Sequence, residues 1–480
     1  MTRDFDVLVI GGGTAGLVAA AGIAGLGGKV ALAESNLMGG ECLNFGCVPS
    51  KALVASSRAF SLIQKAGQFG IRVGNAELNF NDAMARMREL RQKIAPNDSL
   101  ERFQSLGVHV FQSHARFLDP HRVMAGNEVV TAKRFVIASG SAAAVPNIPG
   151  LNEYGYFTNE SIFDLLAAKP DSLALIGGGP IACELGQVFA SMGVKVLIFQ
   201  LGTQLLPRED EDAASLVAEQ LVSDKIEILT SAEINQVVRD GDSALLTGLC
   251  NGKAFTRSAK CILVAAGRRP RVDQLGLGEA GVGYSEKGVK VNNYLTTSQP
   301  HIFAAGDVLG GFQFTHFADY QARVVVRNLA MPLQLLRQKV DYSALPWVTY
   351  TTPEIARVGI NETEAKRTNR SYDLYLTRFE HVDRSILERS EAGFVKILTE
   401  RNGDKILGAT IVGQHAGELI TEIVIAMQRG LGLAALASVV HSYPNCGDAI
   451  RKTADSYNKT RLKPWMKQIF AGLFSRGGLS

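Results

Sequence analysis

The sequence predicts an α/β chain that carries the same strand, glycine turn and helix unit twice. Three observations predict it. An apolar run, Asp6-Val-Leu-Val-Ile, leads into Gly11-Gly-Gly-Thr-Ala-Gly16 and then into an alanine-rich helical pattern. The same succession returns as Ser172-Leu-Ala-Leu-Ile, Gly177-Gly-Gly-Pro-Ile-Ala182 and Cys183-Glu184-Leu. Each unit is followed by a second apolar strand, Lys29-Val-Ala-Leu-Ala and Val194-Lys-Val-Leu-Ile-Phe, of the kind buried on both faces of a parallel sheet.

Each position in the first unit has a physical task. Gly11 permits the tight turn, Gly13 lets the backbone approach a pyrophosphate at the helix N-terminus, and Gly16 lets the helix pack closely on the strand. The second strand ends on Glu34, where a carboxylate can accept bonds from ribose hydroxyls. In the second unit Gly177 and Gly179 repeat the turn, and the equivalent strand end is Gln200, an amide. One such turn also arises for purely structural reasons, whereas two copies, each between strand and helix, point to two dinucleotide sites.

Composition fits this reading. At 480 residues the chain exceeds one ordinary core and should divide into two to four domains. A net charge of +4 with scattered basic residues gives no reason to expect nucleic acid as a partner. No secretory leader and no apolar run of membrane-spanning length is visible, which predicts a cytoplasmic location. Six irregularly spaced cysteines are no secreted disulfide framework, so a close pair is expected to be catalytic, redox-active or metal-binding.

That pair is Cys42 and Cys47, in Gly39-Gly-Glu-Cys42-Leu-Asn-Phe-Gly-Cys47-Val-Pro-Ser-Lys51. Four intervening residues allow disulfide reach if a helix begins there, and a helix N-terminus favours the thiolate. A structural zinc needs four ligands, and no second Cys or His pair supplies the other two, so no metal site is expected.

The sequence resembles the pyridine nucleotide-disulfide oxidoreductases over nearly its whole length. Besides the cysteine motif, the resemblance rests on Ala138-Ser-Gly-Ser141, Ile148-Pro-Gly150, the second glycine turn and Ala266-Gly-Arg-Arg-Pro270. It continues through Ile302-Phe-Ala-Ala-Gly-Asp307, Phe314-Thr-His-Phe-Ala318 and Tyr350-Thr-Thr-Pro-Glu354. It implies an FAD enzyme that takes hydride from NADH or NADPH and passes electrons to a Cys42–Cys47 disulfide. Glu34 would hold the adenosine ribose, Asp307 a ribityl hydroxyl, and His316 and Ala318 would lie near the flavin. Cys47 would be the thiolate beside the isoalloxazine, Cys42 the outer sulfur, and Lys51 would pair with Glu184 where the nicotinamide approaches. Ala115, Ser139, Gly140, Gly267 and Gly306 complete the implied cofactor contacts. Residue by residue the plain alternatives stand: Lys51 and Glu184 as solvated helix charges, Asp307 as a helix cap.

The implied architecture is two Rossmann-like domains plus a C-terminal α+β dimerisation domain. FAD would occupy 1–147 with 272–340, NAD(P) 148–271, and the homodimer interface 341–460, with the active site shared by two subunits.

The C-terminal motif departs from the lipoamide and glutathione branches, where a His-Pro-Thr segment and a following glutamate act as acid and base. Here the segment is Val440-His-Ser-Tyr443-Pro444-Asn-Cys-Gly-Asp448. Tyr443 stands in the histidine's place, Asp448 in the glutamate's, and His441 lies two residues upstream. A phenol with a pKa near 10 is no general base near neutrality, and tyrosine here resembles mercuric reductase, whose soft-metal substrate needs thiolates. The C-terminus lacks that branch's paired cysteines, although Cys446 offers one soft ligand or a buried inert thiol. The expected final acceptor is therefore a disulfide or a soft metal ion; a lipoamide-type dithiol reductase, a quinone reductase and a redox-sensing flavoprotein are the other readings.

Three further expectations follow. Glu41, directly before Cys42, would raise the Cys42 pKa if it faces the pocket and otherwise act on solvent. Gln200 neither repels nor attracts a 2′-phosphate, which leaves NADH against NADPH open. The tail 461–480 places Trp465, Met466, Ile469, Phe470, Leu473 and Phe474 on one stripe beside Lys463, Lys467 and Arg476, for contact with an anionic membrane surface or with the dimer.

Overall fold

The computed structural model describes residues 3–331 and 333–475. The chain divides into two compact units, Met1–Thr203 with Asp224–Asp341, and Gln204–Ser223 with Tyr342–Ser480.

The first unit is built on the duplicated motif. Its larger sheet runs His109–Phe111, Val30–Ala33, Arg3–Ile10, Glu128–Ile137, Arg122–Ala125, Ala115–Asp119, with Ile302–Ala304 also paired to Glu128–Ile137. The strands around Arg3–Ile10 are parallel, and Ile302–Ala304 brings a distant stretch of chain back in register with Phe135–Ile137. The apolar run at its centre is buried on both faces by alternation. Leu8 and Ile10 join one core with Phe135 and Ile137, while Val7 and Val9 join another with Leu17 and Ala20 of helix Thr14–Gly25 and Ala322 and Val325 of helix Thr315–Ala330. The second motif builds a parallel sheet, Glu227–Leu229, Lys195–Phe199, Ser172–Ile176, Cys261–Val264, beside a three-stranded antiparallel sheet spanning Ala232–Ala259.

The second unit is a five-stranded antiparallel sheet, Pro346–Thr349, Glu354–Gly359, Ile406–Gly413, Phe394–Glu400, Tyr372–Arg378. Helices Ala416–Gln428 and Asp448–Arg461 share its core through Ile420, Ile423, Ile450 and Ala454. The segment 204–223, which sequence alone assigns to the nucleotide-binding stretch 148–271, groups with this unit. Buried charges hold it there. Lys396, 1% exposed, bonds both Asp212 carboxylate oxygens at 2.8 Å and reaches Asp210 at 3.0 Å, while Arg357 lies over the Trp347 ring and Trp347 Nε1–H donates to Glu209. A buried lysine and arginine on strands demand such partners, and no local sequence pattern announces a pairing across so many residues.

Candidate active site

Both glycine turns have the backbone their sequence requires. Gly11 has φ +110° and Gly177 φ +116°, and a Cβ at either would stand 2.2 Å from Ala138 O or 2.3 Å from Ala265 O. A Cβ on Gly16 would stand 1.8 Å from Gly11 O, whereas the second turn tolerates buried Ala182 at the equivalent position. Helices Thr14–Gly25 and Pro180–Ser191 start from Gly13 and Gly179 with no side-chain cap and no acid in the first turn. Such ends present amide donors to an anion, so both turns fit the pyrophosphate of a dinucleotide. The strand ends are matched too: Gly12 N–H donates to Glu34 Oε2 (2.5 Å), and Gly178 N–H to Gln200 Oε1 (2.9 Å).

The cysteine segment is locked against the first turn. Gly40, at φ +59°, lies so close to Gly13 that a Cβ would meet Gly13 Cα at 2.5 Å. Cys42 sits in the helical turn Gly40–Asn44, and Cys47 is the first residue of helix Cys47–Gln64. Both are thiols here. The Cys47 sulfur lies 3.3 Å from the Thr315 hydroxyl. A hydrogen bond from Cys42, helped by the Lys51 charge and by Thr315 and opposed by burial, pulls the Cys47 thiol down to about 6. The same bond, with burial and the neighbouring charge, pushes Cys42 far up. At neutral pH Cys47 therefore carries the charge and Cys42 the proton.

One turn after Cys47, Lys51 Nζ donates to Glu184 Oε2 at 2.7 Å, and Glu184 is buried in helix Pro180–Ser191 of the second turn. These two are thus a paired charge across helices rather than solvated surface groups. Asp307 does not act as a cap: Ser141 Oγ donates to its carboxylate at 2.7 Å and Arg268 lies 3.7 Å away.

The expectation for Glu41 is corrected. Its carboxylate faces neither open solvent nor the thiols, because Arg268 grips it through two nitrogens and Asn159 Nδ2 donates to it at 2.8 Å. The carboxylate whose charge reaches Cys42 is Asp98. Arg268, Thr315 and Ser141 lie inside quoted motifs and were findable there; Asn159 and Asp98 carry no motif signal.

The remaining implied cofactor residues lie on the frame of the first unit. Ala115 is buried at the start of strand Ala115–Asp119. Ser139 Oγ donates to Arg271 O, the Gly140 carbonyl accepts from Arg271 N–H, and the Gly267 carbonyl accepts from Ala144 N–H. Gly306 N–H donates to Gln321 Oε1. Ala318 is buried in helix Thr315–Ala330, and exposed His316 stacks its ring on Phe314.

Two sequence profiles cover most of the chain. The pyridine nucleotide-disulphide oxidoreductase profile matches residues 5–322, and the dimerisation-domain profile of the same family matches residues 345–454. The chain belongs to the pyridine nucleotide-disulphide oxidoreductases. A mercuric reductase of Staphylococcus aureus is 32% identical over 457 residues, covering 95% of this chain and 83% of that protein. A dihydrolipoyl dehydrogenase of Cupriavidus necator is 32% identical over 480 residues, covering 96% of this chain and 100% of that one. Among solved structures, the Cu(II) complex of the HOCl-induced flavoprotein disulfide reductase RclA from Escherichia coli shares the fold, with a TM-score of 0.83 over 96% of this chain and 100% of its own at 24% identity. As a member of this family the protein is an FAD-dependent oxidoreductase working with NADH or NADPH, as the motifs implied.

In this oxidoreductase the loop that departs from the family motif lies in the second unit. Tyr443 is 78% exposed and donates to Asp383 Oδ2 at 3.0 Å, which raises its phenol still further above neutrality. Asp448 does not serve His441. It starts helix Asp448–Arg461, where Arg451 and Lys452 bind it and hold its carboxyl below the usual range. The carboxylate beside His441 is instead Glu422, 3.1 Å from Nε2, on helix Ala416–Gln428. Glu422 escaped the sequence reading because the two residues meet only when helix and loop pack. Cys446 is half-buried, and burial pushes its thiol up. Among the described residues no cluster of His, Cys, Asp and Glu could hold a metal ion.

Proposed function

We propose that Cys42 and Cys47 are the redox-active pair of this enzyme, reduced at the expense of NADH or NADPH and reoxidised by a soft metal ion or a disulfide, in the manner of a mercuric reductase. The observation that supports this reading is the oppositely shifted cysteine pair, with Cys47 at a helix start drawn toward its thiolate and Cys42 held as a thiol; Cys42 is then the sulfur that exchanges with the acceptor. Bound FAD supplies the two-electron relay between nicotinamide and disulfide. Residues 1–147 with 272–340 form its domain, and 148–203 with 224–271 receive the nicotinamide nucleotide.

In this reading Glu34 orients the adenosine ribose and the Gly13 helix start holds the pyrophosphate. The Lys51–Glu184 pair sits where the second nucleotide arrives, and Lys51 also holds Cys47 in its charged form. Asp307, steadied by Ser141 and Arg268, presents an acceptor to a ribityl hydroxyl. Exposed Tyr443 and half-buried Cys446 favour a soft-metal acceptor. A second reading, a dihydrolipoamide-type dithiol reductase, is favoured by one observation: His441 has its own carboxylate partner in Glu422, as an acid–base histidine needs. We further infer a cytoplasmic homodimer that completes each active site from two subunits, supported by the dimerisation profile.

The test is an anaerobic titration of the holoenzyme with NADH and separately NADPH, followed by Hg²⁺, lipoamide or a quinone. The reading expects a long-wavelength absorbance band that requires the Cys47 thiolate, is lost in Cys47→Ser, and is discharged by Hg²⁺ or by a disulfide. Bleaching without that band, discharged only by quinone or by no small acceptor, overturns it in favour of a quinone reductase or a redox sensor.

A further inference from the structure

We propose that helix Pro464–Ser475 is a peripheral anchor that seats the enzyme on an anionic lipid surface. The inference rests on the helix alone and is independent of the acceptor chosen above. The helix buries none of its residues. Trp465, Ile469, Phe470, Leu473 and Phe474 are 58, 54, 46, 51 and 82% exposed, with Met466 half-buried beside them. At 3.6 residues per turn these six occupy about half the circumference, and the other half carries only Lys467, Gln468 and small residues. A contiguous exposed apolar face of this kind marks a binding surface.

Charge identifies what covers it. No Asp or Glu follows Asp455, whereas Lys459, Arg461, Lys463 and Lys467 all lie in the stretch leading into and along the helix; Arg476 adds to the composition but lies outside the described residues. A cleft of about 730 Å³ at the root of the helix is lined by Tyr457, Arg461, Lys463 and Trp465 among others, cations and aromatic rings of the kind found at headgroup level, with Asp373 as its one acidic residue. A second copy fits less well. A two-fold contact would set this helix against its own like charges, and lysine is depleted at the core of protein interfaces. Twelve residues rise only about 18 Å, short of a bilayer core, and no described helix is long and apolar enough to cross a membrane. The helix therefore lies in the interface plane, apolar face down and lysines toward lipid phosphates.

The experiment uses the full-length holoenzyme with vesicles of phosphatidylglycerol mixed into phosphatidylcholine, and of phosphatidylcholine alone. The chain has two tryptophans, and Trp347 is already buried, so a blue shift of emission reports Trp465. The proposal expects co-sedimentation and a blue shift with anionic vesicles. Phe470→Glu with Leu473→Glu abolishes both, and Lys463→Gln with Lys467→Gln weakens binding about fivefold per lysine. NADH-dependent turnover in solution is unchanged in both variants, which shows that they fold. Absence of binding to anionic vesicles at low salt, or equal binding by the Phe470→Glu, Leu473→Glu variant, overturns it. So does a change of oligomeric state in that variant without vesicles, which would assign the stripe to a second copy of the chain.

Discussion

The polarisation of the dithiol can be tested quantitatively through thiol–disulfide exchange of the reduced enzyme with a small aromatic disulfide. With Cys47 pulled from an ordinary 9.0 to about 6, roughly 90% of it is thiolate at pH 7, against roughly 1% for an unshifted thiol. The gain in rate is smaller than that ratio. A thiolate loses nucleophilicity as its pKa falls, with a Brønsted slope of about 0.45, so three units cost about twentyfold and the net advantage at pH 7 is about fourfold. The diagnostic is therefore the pH profile rather than the speed. A depressed thiol pKa means that the reactive form is present above about pH 6 and is lost as pH falls through it. The rate should level off by pH 7, and Cys42 should add no second phase until well into the alkaline range. Cys42→Ala removes the largest stabilising hydrogen bond, and Thr315→Val a smaller one, so the plateau should move to higher pH in both, further in the first. A rate that climbs steadily through pH 9, or a low-pH phase that survives Cys47→Ser, would refute the assignment of the charge to Cys47.

Other consequences are equally open to measurement. Lys51→Met removes a charge that lowers the Cys47 pKa and should shift the same exchange profile upward, while Lys133→Met, on an exposed pair with Asp6, should not. Gly16→Ala drives a Cβ onto Gly11 O and should cost on the order of 1–3 kcal/mol, seen as weaker FAD retention and a lower midpoint in chemical denaturation. Lys396→Met strands the buried Asp210 carboxylate and its neighbours Asp212 and Glu362, and should destabilise the second unit by about 3–5 kcal/mol, read through the emission of Trp347. His441→Asn should depress turnover with dihydrolipoamide or lipoamide while sparing Hg²⁺ reduction; equal losses with both acceptors would remove the histidine from proton transfer.

What the sequence disclosed follows the range of the physics involved. The glycine turns, the strands beside them and the cysteine helix are decided within about twenty residues, by backbone conformation and apolar periodicity, and those are visible in one dimension. The long-range pairs divide by whether a motif marked both partners. Lys51 with Glu184 was recoverable because each lies in a recognised stretch. Glu422 with His441, Asn159 with Glu41, and Lys396 with Asp210 and Asp212 were not, because burial makes each partnership obligatory while many surface acids and amides would satisfy the composition equally well. Glu41 is the clearest case. Read locally it should act on the cysteine beside it, yet a guanidinium supplied by Arg268 consumes its charge.

The proton on Cys42 connects the chemistry of the dithiol to the identity of the acceptor. A protonated Cys42 cannot attack a disulfide, so where turnover runs through Cys42 rather than through the Cys47 thiolate, a base must take that proton before each exchange. A soft cation asks for less, because metal–thiolate bonding itself displaces the proton and can do so to water. Tyr443, held protonated by its bond to Asp383, suits the second task and not the first. His441 with Glu422 suits the first. Under the proposed function the loop offers one residue to each acceptor class, and His441→Asn separates them. Turnover with a disulfide should fall in His441→Asn, while metal reduction should survive that substitution, follow the Cys47 thiolate alone and hold its rate down to about pH 6.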